Sequence, residues 1–233
     1  MSSIKKSGKQ RWKPSYLRRQ GNITPGQKKA LRNLWGDYGL TFGYQQLLNL
    51  PQAFGRQAPC VLEIGFGRGE HLLTLAKQNP QWNIVGIEVH RPAIGTVLKQ
   101  LHEQQITNVR IIRGDALLVL CDHLNAAIFH RVCVLFPDPW PHAKDRSRRL
   151  VNPLLIQRLS QVGILGCALQ VVTDVADYAE HADQVMQGFP AWKANHKAFF
   201  QRQEVTRYEQ KAIKEGRKIF ELRYDFVFVG DIK

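Results

Sequence analysis

From about Pro59 onward the chain alternates short, uninterrupted apolar runs with longer stretches that carry one apolar face. "CVLEI" (60–64), "NIVGIEV" (83–89), "VRIIRGD" (109–115), "RVCVLF" (131–136) and "ALQVVTD" (168–174) have strand length and predict five strands. Between them, "EHLLTLAKQ" predicts a helix that stops near Pro80. "PAIGTVLKQLHEQ" predicts one that starts at Pro92 and shows Ile94, Val97, Leu98 and Leu101 on a single face. "NPLLIQRLSQVG" follows with Asn152 as its cap and Gly163 near its end, and "DYAEHADQVM" forms another helix. Upstream, "TPGQKKALRNLW" offers Thr24 as an N-cap and Pro25 at the first helical position. The aromatic, β-rich stretch "KIFELRYDFVFVG" predicts a late strand at the sheet edge. Strand–helix alternation of this length implies an open α/β fold, a parallel sheet with helices on both faces.

Composition narrows the setting. The 233 residues fit one large domain with extensions, and 44% hydrophobic content supports a sizeable core. The start, MSSIKKSGKQRW, has charge with no apolar stretch behind it, so no secretory leader is expected. The best apolar run is too short to span a membrane. Cys60, Cys121, Cys133 and Cys167 are scattered, without a CxxC pair, and no histidine stands at ligand spacing to another histidine or a cysteine. Reduced thiols, no metal and a cytoplasmic location are the expectation.

Charge changes the picture more than composition does. Residues 1–32 hold ten Lys/Arg and no acid, leaving 23 basic against 19 acidic residues for the rest of a chain whose net charge is +14. We divide the chain into a basic N-terminal extension with its first helix, 1–35, and a main domain, 36–233. The extension is interleaved with Trp12 and Tyr16, and a second basic cluster runs from Lys144 to Arg149. A polyanionic partner, RNA or DNA, is the natural inference.

Candidate chemistry gathers at the ends of the predicted strands. "LEIGFGRGEH" places Gly65, Gly67 and Gly69 between a strand and its helix, where glycine permits a sharp turn and close approach of a ligand. The G-x-G-x-x-G spacing of dinucleotide enzymes is not met, because its third glycine falls at Glu70, a carboxylate that would repel a pyrophosphate. Glu63, Glu88 and Asp115 each close a predicted strand. They could meet a cationic amine, a ribose diol and an adenine amino group respectively. Glu88 could instead cap a helix or pair with Arg91, and Asp115 could N-cap the helix of "ALLVL". Together the three acids suit a nucleoside that carries positive charge and no phosphate, which is S-adenosylmethionine.

"FPDPWPHAKDRSRR" (136–149) fences Asp138 and Trp140 with three prolines. Proline fixes φ, lacks an N–H and disfavours helix in the residue before it, so this segment is a stiff loop with its X-Pro residues extended. Following "RVCVLF", it lies at a strand's carboxyl end. If that strand neighbours "CVLEI", the loop faces the glycine turn and Asp138 sits where methyl donor and acceptor meet. Trp140 and Tyr208 are each a candidate surface for stacking on an exposed base, the alternatives being a core aromatic for Trp140 and structural burial for Tyr208.

"VLEIGFGRGE", "VGIEVHRPAI", "RGDA", "FPDPWP", "RSRRLVNP", "VVTDVADYAEHADQVM" and "VTRYEQKAIKEGRKIFEL" together resemble the bacterial tRNA (guanine-N7)-methyltransferases, in the same order and from about Arg18 onward. The resemblance implies a Rossmann-like class I methyltransferase fold with a mostly parallel sheet and a C-terminal antiparallel edge strand. It implies methyl transfer from S-adenosylmethionine, leaving S-adenosylhomocysteine, to N7 of the variable-loop guanosine of tRNA, with no metal and no obligatory protein partner. Glu63, Gly65, Glu88, Asp115 and Asp138 match cofactor-binding positions, and Asp138 also matches the residue treated as catalytic. His142, Lys144, Arg146, Arg148, Arg149, Asp174, Thr206, Arg207, Tyr208 and Glu209 match substrate-binding positions. His142 stands where members often carry lysine, Ala212 where glycine is common, and Glu221 where aspartate is usual. Rival readings are a methyltransferase acting on another nucleic-acid position and a non-catalytic RNA-binding protein on the same fold. A nicotinamide dehydrogenase is disfavoured by Glu70 and the acid-lined site.

Overall fold

The computed structural model describes residues 14–16, 21–44, 46–195 and 206–227, so Trp12, most of the basic tail and the end of the last predicted strand lie outside the described residues. The first element among the described residues is helix α1 (Pro25–Asn33), whose Thr24 cap accepts from the Gln27 amide while the Gln27 side chain accepts from the Thr24 amide. α2 (Trp35–Tyr38), β1 (Gly39–Leu40) and α3 (Leu50–Phe54) follow. The alternating region then runs β2 (Cys60–Ile64), α4 (Glu70–Gln78), β3 (Asn83–Glu88), α5 (Arg91–Glu103), β4 (Val109–Arg113), α6 (Ala116–Asp122) and β5 (Phe129–Leu135). A 3₁₀ helix (Ala143–Arg148), α7 (Pro153–Val162), β6 (Gly163–Thr173), α8 (Ala176–Gln187), β7 (Trp192–Ala194), α9 (Arg207–Lys214) and β8 (Phe220–Phe226) complete it.

Among the described residues these strands form one sheet in the order β1-β4-β3-β2-β5-β6-β8-β7. All pairings are parallel except those of β8 with β6 and with β7. The predicted late strand is therefore antiparallel, with the three-residue β7 covering its outer side. β2 pairs with β3 on one side and β5 on the other, and chain order reverses there. That switch point is where an open α/β sheet leaves a crevice outside its strand ends.

Two apolar clusters explain why the central strands read as unbroken apolar runs. Leu62 and Ile64 of β2, Val85 and Ile87 of β3, and Val132 and Val134 of β5 meet α6, α7 and α8 on one face. Val61, Ile84 and Cys133, alternating with them, meet α1, α4 and α5 on the other. The Ile94, Val97, Leu98 and Leu101 stripe is fully buried there, contributing about 1.5–3 kcal/mol per side chain. α1 reaches the same cluster because α5 carries a glycine: a Cβ on Gly95 would lie 2.8 Å from the Gln27 carbonyl oxygen. No helix among the described residues is long and apolar enough to cross a membrane.

Candidate functional site

The carboxyl rim of β2, β3, β4 and β5 assembles from the strand ends outward. Beyond Ile64 the chain turns through Gly65 (φ 76°), Gly67 (φ 53°) and Gly69 (φ 80°), all in the left-handed region that favours glycine. The turn is tied down at three points. The Gly65 amide donates to the Ile87 carbonyl at 2.8 Å, the Gly69 amide donates to the Phe66 carbonyl at 2.8 Å, and the buried Phe66 ring occupies the space that a side chain on Gly86 would need. A Cβ on Gly69 would collide with Val97, whereas Cβ atoms on Gly65 and Gly67 would point into open space. The loop thus presents bare backbone to a clear volume at the switch point.

The three strand-end acids are buried, each in its own way. Glu88 accepts from the Gly67 amide through Oε2 (3.0 Å) and from the Val89 and His90 amides through Oε1 (2.7 and 2.9 Å). It fixes the glycine loop against β3. Glu63 Oε2 lies 2.7 Å from Nδ1 of His71, in the first turn of α4. A carboxylate only accepts, so this bond puts the proton on Nδ1. Asp115 N-caps α6, its Oδ1 accepting from the Leu117 amide at 2.9 Å, while Oδ2 is buried with no hydrogen-bond partner. Burial raises its carboxyl above the ordinary Asp value, against the opposing pull of the Leu117 and Leu118 amides. A buried, unpaired acceptor normally has a ligand or a strain to explain it. That orphan oxygen, on the residue that caps α6 beyond the carboxyl end of β4, is a candidate acceptor for the amino group of an adenine-bearing cofactor.

Asp138 lies on the same rim, exposed, in the loop that follows β5. Ile64 is in register with Val134, so this loop and the glycine turn leave adjacent parallel strands, about 4.8 Å apart, at the same end. Its backbone departs from the extended geometry expected before proline: Phe136 (φ 50°) and Trp140 (φ 44°), which precede Pro137 and Pro141, are left-handed. Tertiary contacts impose this, at a conformational cost of about 1–3 kcal/mol per residue. The Phe136 amide donates to the Val172 carbonyl at 2.8 Å, and Trp140 Nε1 donates to the Ser15 carbonyl at 3.0 Å. Trp140 is also not the surface for an unstacked base that the sequence suggested. It is 9% exposed, with the Arg148 guanidinium 4.2 Å above its ring. Tyr208 is 63% exposed and stacks on Phe136, with centroids 6.5 Å apart and planes 20° apart.

The basic run divides. His142, Lys144 and Arg146 are exposed along the 3₁₀ helix and its cap. Arg148 turns inward, donating from Nε to the Pro14 carbonyl at 3.1 Å. Arg149, expected at the RNA surface, is buried at 1% exposure, because its guanidinium is occupied by the loop and by α8. The remaining substrate candidates meet around α9. Thr206 is its N-cap, accepting from the Glu209 amide at 3.3 Å; Arg207 and Tyr208 face outward and Glu209 inward. Asp174, at the end of β6, pairs with Arg217 just past α9.

Sequence reasoning missed His71, Arg217 and the helix α9 itself. Thr206 with Glu209 three residues on is a capping-box pattern that would have located α9. Ala212 turns into the interior, and Glu221 accepts from Arg223 Nε at 2.8 Å, so these departures from the family pattern are absorbed by packing.

A profile of the family described as "Putative methyltransferase" matches residues 57–222. A tRNA (guanine-N(7)-)-methyltransferase from Alkalilimnicola ehrlichii is 39% identical over 215 residues, 90% of this chain and 91% of the relative. Its counterpart from Escherichia coli K12 is 35% identical over 218 residues, 91% of each chain. Among solved structures, the 16S rRNA methyltransferase KamB superposes with a TM-score of 0.56 at 15% identity, covering 76% of this chain and 92% of that one. An rRNA methylase from Streptococcus thermophilus gives 0.52 at 11% identity, covering 74% and 89%, a likeness of fold alone. Identity above one third along nine-tenths of both chains goes further than fold: the chain belongs to the tRNA (guanine-N(7)-)-methyltransferase family.

Proposed function

We propose that this chain is an S-adenosylmethionine-dependent methyltransferase acting on N7 of the variable-loop guanosine of tRNA. The observation that carries the reading is the juxtaposition at one rim of a bare glycine turn, an orphaned buried acceptor on Asp115 and the Asp138 loop. When bound, S-adenosylmethionine supplies an electrophilic methyl group on a sulfonium.

The chain's own residues do the rest. Asp115 Oδ2 accepts from an adenine amino group. Glu88, already holding the loop through the Gly67 amide and its own turn through the Val89 and His90 amides, has lone-pair capacity left on Oε2 for a ribose hydroxyl. Glu63, held in place by His71, puts negative charge beneath a cationic amine. Guanine N7 carries a free lone pair at neutral pH, so the site needs no general base. Asp138 instead accepts from the donor edge of the purine and faces the positive charge that moves onto it. The Tyr208–Phe136 pair offers a stacking platform, while Lys144 and Arg146 track phosphates.

The test is incubation with labelled S-adenosylmethionine and bulk tRNA, followed by identification of the modified nucleoside. Label in 7-methylguanosine is expected. Label on another atom, or none in tRNA, would overturn the proposal.

A further inference from the structure

Arg149 has no part in the reaction as described, yet it is the most fully engaged cation of the basic run. Its Nε donates to the Pro139 carbonyl at 3.0 Å and its Nη1 to the Asp177 carbonyl at 3.1 Å. Nη2 pairs with the Asp177 carboxylate, and the guanidinium lies 5.4 Å over the Tyr178 ring. Its own carbonyl accepts from Asn152 Nδ2 at 3.0 Å, and its amide donates to the Arg146 carbonyl at 3.0 Å. Tyr178 closes the unit by accepting from the Val151 amide at 3.2 Å. Side chain and main chain are both fixed.

We infer that Arg149 is a positioning residue for Asp138: it clamps the carbonyl of the next residue in the chain onto helix α8. The inference rests on the reading of Asp138 given above. Physical reasons single out this carbonyl. The loop has no amide hydrogen at residues 137, 139 and 141, so it has few backbone donors with which to brace itself. It is held left-handed at Phe136 and Trp140, on either side of Asp138, and such a backbone persists only when its surroundings over-determine it. Phe136 is pinned by β6 and Trp140 by Ser15; Arg149 supplies the anchor between them. A planar fork that donates in three fixed directions suits that task, and a lysine ammonium does not reproduce it. Asp177 balances the buried charge. At 44% exposure, it also takes Arg146 on its other oxygen at 3.0 Å, so one carboxylate joins the outward and inward halves of the basic run.

The experiment compares Arg149→Lys, Asp138→Asn and the double variant in the full chain, using steady-state turnover on tRNA, calorimetry with S-adenosylhomocysteine, and the salt dependence of tRNA affinity. Arg149→Lys should lower kcat by about 10- to 100-fold, the scale of a roughly 1 Å misplacement, with KM for tRNA, cofactor affinity and salt slope unchanged. In the Asp138→Asn background the same substitution should remove little further activity, because Arg149 acts through Asp138. Wild-type turnover in Arg149→Lys, full additivity, or a loss confined to tRNA KM with a shallower salt slope would each overturn the inference. Should Arg149→Lys fail to fold, Asp177→Asn at the exposed end of the clamp decides: a kcat loss at constant KM supports it and unchanged kcat refutes it. Full turnover in Asp138→Asn would instead sink the reading of Asp138, a distinct result.

Discussion

Replacing Asp115 by asparagine keeps the volume of the side chain and its capping oxygen, and turns the orphaned Oδ2 into an N–H₂ group. Asparagine is as good an N-cap as aspartate, so the bond from the Leu117 amide survives and α6 keeps its start. What changes is the unpaired end of the side chain, from acceptor to donor. A cofactor amino group that met Oδ2 would meet another donor, a loss of about 1–3 kcal/mol, or roughly 5- to 150-fold in affinity. Calorimetry with S-adenosylhomocysteine reads that directly.

Stability supplies an independent readout. Burial raises the Asp115 carboxyl above the 3.8 of an ordinary aspartate, so the folded chain holds this proton more tightly than the unfolded chain does. Below 3.8 both states are protonated and the carboxylate exacts no penalty. As pH rises through the folded-state value, the wild type must bury an ionised group, and its stability relative to Asp115→Asn falls before reaching a plateau. Urea unfolding of both proteins at a series of pH values measures the difference. The asparagine variant should gain on the wild type as pH rises while binding cofactor more weakly. Affinity within about twofold of wild type would show that Oδ2 does not face the ligand. A stability difference flat with pH would show that no buried charge is present.

Three further outcomes follow from the same geometry. Asp138→Ala should reduce kcat by about 100- to 1000-fold with tRNA affinity preserved, and equal losses of both in binding and turnover assays would remove its transition-state role. Lys144→Ala and Arg146→Ala should each lower the slope of log affinity against log salt by about one, read by tRNA titration at several salt concentrations; an unchanged slope would take the 3₁₀ helix out of the phosphate path. Thr206→Ala deletes the N-cap of α9 at about 1 kcal/mol and should raise KM for tRNA at constant cofactor affinity, whereas unaltered unfolding and KM together would separate α9 from substrate binding.

How much of this was legible in the sequence depended on the range of the signal. β2 to β6 and the helices between them could be read because each carries its own run or stripe of apolar residues, and some their own cap: the Asn152 oxygen accepts from the Leu155 amide, as its place before Pro153 suggested. β1 and β7, of two and three residues, have no period to detect and exist only through their neighbours β4 and β8. The strand-end acids were identifiable by position, and the Asp115 cap was one of the readings offered because it is local. That Glu63 is held by His71, and that the second Asp115 oxygen is buried without a partner, depends on how α4 and α6 pack on the sheet. Charge misled in one respect. In RSRR, Arg146 and Arg149 share a composition but not a direction, since a 3₁₀ helix carries one outward and delivers the other beneath the loop.

That division bears on why a chain would use three prolines around one aspartate. Proline alone stiffens by narrowing φ, and it also lowers the entropy of the unfolded chain, but neither effect selects the conformation that the loop adopts here. Phe136 and Trp140 stand in a region that residues before proline ordinarily avoid. The loop is therefore restricted from within by its prolines and held from outside by the Val172 carbonyl, Ser15 and Arg149. Internal stiffness without the anchors would fix the wrong shape, and anchors on a glycine-rich loop would leave Asp138 free to swing. Methyl transfer to a lone pair that needs no deprotonation gains mainly from placement, so under the role proposed for Asp138 a fixed backbone beneath the carboxylate matters more than its basicity.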